Sequence, residues 1–158
     1  VTNRPATAAP PDDPLTLDQQ VCFALVVASR GVLSLYRPLL EPMGLTHPQY
    51  LVMLALWEKD PRSVKELSEV LDLDPGTLSP LLKRLEASGL VERRRSTTDE
   101  RLLAVTLTGP GRALRTKALE IPPAIVQRLG MPLDQLERLR DDLHRLMAAA
   151  ATDRAGES

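Results

Sequence analysis

Residues 63–107 are punctuated so tightly that few chain arrangements fit them. Ser63 and Glu66 make a capping box, in which a hydroxyl caps a helix start and an acidic side chain three residues on reaches back. The helix it opens is short, with Val64, Leu67, Val70 and Leu71 expected on its inner face. Asp72, Leu73 and Asp74 form a turn, after which Pro75 suits the first position of a second helix capped by Asp74. That helix is predicted to run to Ser88 and Gly89, where glycine supplies the left-handed stop. Pro80 removes one helical hydrogen bond, so the first turns are predicted to bend or the regular helix to begin near Ser79.

Residues 90–95 and 101–107 then flank a polar stretch, and the alternation of Leu103, Val105 and Leu107 is that of a half-buried strand. Two helices joined by a short turn and followed by a hairpin is the order of a winged helix-turn-helix, whose second helix enters the DNA major groove. The predicted fold is mainly α with a small β-hairpin wing and about six helices. Thr77, Ser79, Lys83 and Arg84 lie on the second helix, and Arg93, Arg94, Arg95 and Arg101 on the hairpin, as residue types that contact bases and phosphates.

Charge gives this reading only local support. The chain of 158 residues balances 20 Lys+Arg against 21 Asp+Glu, so bulk charge predicts neither a nucleic-acid nor a membrane partner. Residues 83–101 hold six basic and four acidic side chains, a local excess of +2 that a merely solvated face would also show. Aromatics are only 3% of residues, which leaves Leu, Val and Ala to build the core and favours helices over a sandwich or barrel.

Two further capping boxes, Thr16 with Gln19 and Thr46 with Gln49, mark helix starts upstream. The first is predicted to open a long apolar helix ending near Arg37, because Pro38 disfavours the helical conformation in its predecessor. The second opens a helix carrying Tyr50, Met53, Leu54 and Trp57, stopped by Asp60-Pro61. The longest apolar run, residues 21–28, is eight residues, short of the ~20 a membrane span requires, and a soluble chain is expected. Downstream of residue 108 one helix is disturbed by Pro122-Pro123, and a last helix carries a stripe of Leu136, Leu139, Leu143 and Leu146 that calls for a partner helix. Residues 1–14, with four prolines and no start of a signal peptide, and residues 152–158 read as disordered tails.

Cys22 is the single cysteine and the chain has two histidines, which excludes an intrachain disulfide and a Cys/His zinc site within one subunit. No metal or cofactor is expected, and a reducing cytoplasm fits. Cys22 on an apolar helix reads either as a small buried hydrophobe or as a reactive thiol. Cys22 and Tyr36 lie fourteen residues apart on one predicted helix, a rise of about 21 Å, so they cannot touch within one chain. If they cooperate, they do so across a two-fold axis.

The stretch LSEVLDLDPGTLSPLLKRLE at 67–86, followed by Gly89-Leu90-Val91-Glu92-Arg93, Asp99-Glu100-Arg101 and Thr106-Leu107-Thr108, resembles the multiple antibiotic resistance regulator (MarR) family. The resemblance covers residues 15 to 150 and implies a dimeric repressor whose first and last helices interlock. It implies a sensor and dimerisation helix at 15–45, a DNA-binding region at 46–108 and dimerisation helices at 109–151. It makes Arg101 the wing-tip arginine of the minor groove and Asp99 its orienting partner. Residues 18–23, 35–40 and 45–51 resemble the organic hydroperoxide resistance repressor (OhrR) branch. That likeness makes Cys22 the peroxide sensor, with Tyr36 and His47 from the partner subunit as donors to its thiolate, His47 standing where the branch has tyrosine. An imidazolium at His47 would favour the thiolate and make the sensor pH-dependent.

The implied function is a repressor, not an enzyme, that holds an inverted-repeat operator as a homodimer. It lets go when an organic hydroperoxide oxidises Cys22 and a low-molecular-weight thiol forms a mixed disulfide. Alternatives are a repressor released by a non-covalent phenolic or anionic ligand with Cys22 structural, a one-cysteine thiol peroxidase, and a helical interaction module.

Overall fold

A computed structural model describes residues 14–95 and 103–156. After a 3-10 turn at Leu17–Gln19, helix α1 spans Val21–Leu40 and leads through a second 3-10 turn, Glu41–Met43, into α2, His47–Glu58. Strand β1 (Arg62–Ser63), α3 (Val64–Leu71), α4 (Pro75–Ala87), β2 (Val91–Arg95) and β3 (Leu103–Leu107) follow. Helices α5 (Gly109–Ala118), α6 (Ile121–Leu129) and α7 (Leu133–Gly156) complete the described chain. Only Leu119 and Glu120 separate α5 from α6, and counting that pair as one bent helix gives the six expected.

Two of the three boxes form. Gln49 N–H donates to Thr46 Oγ1 while Thr46 N–H donates to Gln49 Oε1, and Ser63 and Glu66 exchange the same pair of bonds. The Thr16 box does not form: Thr16 caps only the 3-10 turn and makes no side-chain cap bond, and α1 starts later, at Val21. Helix α1 also passes Pro38 and ends at Leu40, which is 1% exposed. Packing of Leu39 and Leu40 on the core outweighs the single hydrogen bond that proline deletes.

Pro80 likewise sits inside a continuous α4. The carbonyl that loses its helical donor is that of Gly76, on the exposed first turn of α4 and so open to solvent. On α3, Leu67 is fully buried and Val64 and Leu71 pack on the core, but Val70 points outward at 50% exposure. The wing has three strands in the order β1-β3-β2, with Val105 of the middle strand opposite both Arg62 and Arg93. Helix α7 runs to Gly156, past the tail expected from Thr152, because the alanines at 148–151 propagate it.

The core lies inside the winged region. Leu40, Met53, Leu56, Leu67, Leu78, Leu82, Leu85, Val91 and Val105 are its largest buried side chains, together with Val52. Gly111 permits the closest backbone approach, since a Cβ there would stand 2.0 Å from the Leu90 carbonyl oxygen. Helix α1 contributes only its last residue to the fully buried set, leaving Val21, Phe23, Val26, Val27 and Leu33 exposed. Although no unbroken apolar run exceeds eight residues, a stretch of 18 residues within Val21–Met43 has a mean hydropathy of 1.3, long and apolar enough by those measures to cross a membrane. Its Leu35, Tyr36 and Leu39 pack on the protein core.

Candidate functional site

The turn between α1 and α2 sets an aromatic cluster. Gly44 adopts the left-handed conformation at φ 67°, its N–H bonds the Glu41 carbonyl, and Leu45 N–H bonds that of Leu40, so α2 folds back along α1. The Thr46 box then fixes the first turn of α2. His47, the first residue of that helix, meets Tyr36 edge-on with ring centroids 4.8 Å apart. Tyr50, one turn further, stands 6.0 Å from Tyr36 and 6.3 Å from His47, and Trp57 continues the line 6.4 Å beyond. Spacings of three and seven residues on α2 put His47, Tyr50 and Trp57 on one face, a pattern present in the sequence beside the core periodicity of Tyr50, Met53, Leu54 and Trp57.

Burial governs the protonation of this cluster. It pushes the Tyr36 hydroxyl above its ordinary value, and it does the same to Tyr50, which the neighbouring Tyr36 charge raises further. The half-buried His47 is pushed down. At neutral pH the site therefore holds a phenol O–H and an uncharged imidazole, both able to donate a hydrogen bond to an anion without bringing a positive charge. The expected imidazolium is opposed by desolvation. A cavity of 430 Å³ opens beside His47, lined by Leu33, Leu40, Leu45 and Pro48 and by the oppositely charged Arg37 and Glu41.

Cys22 lies near the other end of α1, free and exposed. One chain brings Tyr36 and His47 together and leaves Cys22 about 21 Å along the helix from them. Val21, Phe23 and Val26 around it are also exposed. Among the described residues no group of three or more metal-ligating side chains occurs.

The DNA-facing candidates divide into engaged and exposed. Asp74 caps α4 by accepting from the Thr77 backbone N–H at 2.9 Å and from the Thr77 hydroxyl at 2.6 Å, so Thr77 spends its donor on the cap. Ser79, Lys83 and Arg84 are exposed opposite the buried Leu78, Leu81, Leu82 and Leu85. Arg93 is held by Glu86 and Arg94 by Glu92, whereas Arg95 is exposed at the end of β2. Asp99 and Arg101 lie outside the described residues.

The helix pair α3–α4, its capped second helix and the sheet behind it define a winged-helix DNA-binding protein. The family model described as "Transcriptional regulator SarA/Rot" matches residues 34–117. The structure of apo MarR from E. coli aligns with a TM-score of 0.66 at 25% identity, over 80% of this chain and 96% of that one. The chain belongs to the MarR family of winged-helix transcriptional regulators.

Among its relatives, the HTH-type transcriptional regulator TtmR of Methylorubrum extorquens is 48% identical over 84% of this chain and 72% of that protein. The organic hydroperoxide resistance transcriptional regulator of Bacillus subtilis is 42% identical over 85% of this chain and 92% of that protein. Reduced AbfR bound to DNA aligns with a TM-score of 0.71 at 36% identity, over 85% of this chain and 94% of that one. AbfR, from Staphylococcus epidermidis, also has solved overoxidized and disulfide forms. These relatives are regulators of transcription and not enzymes, which sets aside the thiol peroxidase alternative. The chain is a DNA-binding regulator with redox-sensitive homologues.

Proposed function

We propose that this chain is a hydroperoxide-responsive repressor that works as a homodimer, with Cys22 of one subunit seated against Tyr36 and His47 of the other. The observation that carries the reading is the pairing of Tyr36 with His47 at 4.8 Å, two neutral donors of which His47 borders a cavity, on a chain whose thiol lies a helix-length away. The exposed apolar faces of α1 and α7, including Phe23, Val26, Leu139 and Leu146, support the dimer, because apolar surface of that kind is covered in a stable assembly.

The chemistry uses the thiolate as nucleophile. Cys22 sulfur attacks the terminal oxygen of a hydroperoxide and the O–O bond breaks. Sulfenic acid forms on the protein, and the alkoxide leaves as the alcohol after taking a proton. A low-molecular-weight thiol then attacks the sulfenic sulfur, giving a mixed disulfide and water. The adduct displaces the donors and changes the separation of the two α4 helices, which a dimer must hold at one DNA turn, about 34–36 Å, to read an inverted repeat. The regulator acts in the cytoplasm, where DNA and small thiols are both present.

The test is anisotropy of wild type and Cys22→Ser on an operator duplex, with and without an organic hydroperoxide and a small thiol, followed by intact mass. Release of wild type alone, with the mass of one adduct, is expected. Release of Cys22→Ser on oxidation would sink the redox reading. The cavity lined by Arg37, Glu41 and His47 leaves room for one alternative, a non-covalent phenolic or anionic ligand. Release with unchanged mass selects it.

A further inference from the structure

Glu86 and Arg93 make a contact that the placement of Arg93 among the DNA-facing residues did not anticipate. Strand β2 is an edge strand of the wing sheet, and the Arg93 backbone N–H on its free side donates to Glu86 Oε1 at 3.2 Å. The Arg93 side chain turns back as well, its Nε and a terminal nitrogen donating to Glu86 Oε2 at 2.9 and 2.7 Å. One carboxylate on α4 thus accepts from both the backbone and the guanidinium of one residue in the wing.

Planar, charge-assisted pairs of this kind fix geometry as well as adding energy. Both side chains are about one-third exposed, so water screens the pair and its effect is on position more than on stability. The carboxylate is held below its ordinary range by the Arg93 side chain and then by the Arg93 backbone, and stays ionised down to acid pH. Arg93 stands midway along β2, between the buried Val91 and the exposed Arg95.

We propose that Glu86 is a positioning residue for DNA binding: by clamping Arg93 it sets the angle between the recognition helix α4 and the wing. Arg93 acts through that clamp and not through a phosphate. The inference rests on DNA binding by this chain and is independent of the chemistry at Cys22.

The two roles predict opposite signs at Glu86. If Arg93 reaches a phosphate, removing a nearby acid strengthens binding, since Glu86 only competes with the DNA. If the clamp operates, removing the acid weakens binding. The experiment measures the affinity of reduced wild type, Glu86→Ala, Arg93→Ala and the double variant. The probe is a duplex enriched from a randomised library by the wild-type chain. It is run at a temperature where circular dichroism shows every protein fully folded. Each single variant is expected to bind about tenfold more weakly, the double variant no more weakly than either single. Hydrogen exchange of residues 90–95 should rise in Glu86→Ala, where the Arg93 amide loses its acceptor. Unchanged or tighter binding by Glu86→Ala, or additive losses in the double variant, overturns the proposal.

Discussion

Trp57 donates its indole N–H to the Gly111 carbonyl at 3.0 Å, tying the end of α2 to the first turn of α5. The same corner holds Asp60, which accepts from the Thr106 hydroxyl at 2.7 Å, the Leu107 N–H at 3.2 Å and Arg112 at 3.1 Å. The helix that carries the aromatic cluster is thereby fastened to the base of the wing. Trp57→Phe keeps most of the ring packing and deletes only this hydrogen bond, the Gly111 carbonyl remaining a helical acceptor in α5, at a cost of about 1 kcal/mol. Trp57 is the single tryptophan, so the loss is read from urea unfolding followed by circular dichroism rather than by fluorescence.

Gly111→Ala tests the close approach at the same corner. The new Cβ would lie 2.0 Å from the Leu90 carbonyl oxygen and 3.1 Å from its carbon, both backbone atoms that no rotamer change can move. That carbonyl also accepts the Thr108 N–H at 3.1 Å, so relief requires parting β2 from α5. A loss of about 3 kcal/mol is expected. Gly109→Ala, with nothing within 4 Å of its Cβ, serves as the control and should be close to neutral.

How much of this was legible differs by interaction range. The Ser63 box, the Asp74 cap and the leucines at 78, 81, 82 and 85 are contacts within a few residues, and the sequence pattern states them directly. Strand β1 is two residues long and shows no period to read. The Glu86–Arg93 pair spans a helix end, a turn and a strand, so only the folded chain reveals that Arg93, read from the sequence as a DNA-facing residue, also makes an internal ion pair. Tyr36 and His47 were legible as residues of interest through family likeness, while their contact depends on the Gly44 turn between them.

His47 predicts a specific pH dependence. Its folded value lies below the ordinary 6.5 because burial disfavours the cation, so the unfolded chain binds more protons in the window below 6.5. Stability therefore falls as pH drops from 6.5 through the folded value, and is flat with respect to this group above 6.5. His47→Asn removes the term. The difference in unfolding free energy between wild type and variant should rise with pH up to 6.5 and then level off. A difference rising toward acid would mean the imidazolium is stabilised instead.

Lys83 and Arg94 should respond differently to salt. Lys83 is exposed on α4, whereas the Arg94 Nε–H is given to Glu92 at 2.8 Å. Lys83→Ala should lower the slope of log affinity against log salt by about 0.9, one phosphate contact. Arg94→Ala should change it less, because removing the arginine also leaves its acidic partner behind. Titration of a duplex across a range of salt concentrations reads both slopes.

Whether Tyr36 serves its own Cys22 or its partner's can be decided by mixing subunits. Tyr36→Phe keeps the edge-on contact with His47 and removes only the hydroxyl. Losing a hydrogen bond to an ionised sulfur, worth about 1.5–3 kcal/mol, should slow hydroperoxide oxidation of Cys22 tenfold or more. A heterodimer of a Tyr36→Phe chain with a Cys22→Ser chain holds a single thiol, on the chain that lacks the phenol. If the site is shared between subunits, that thiol faces the intact Tyr36 of the other chain and reacts at the wild-type rate, because the helical rise of about 21 Å bars its own residue 36 from reaching it. If the site were built within one chain, the thiol would react at the slow rate of the Tyr36→Phe homodimer. Stopped-flow oxidation with mass detection of the single thiol separates the two, and the slow rate would remove the geometric basis of the dimeric sensor.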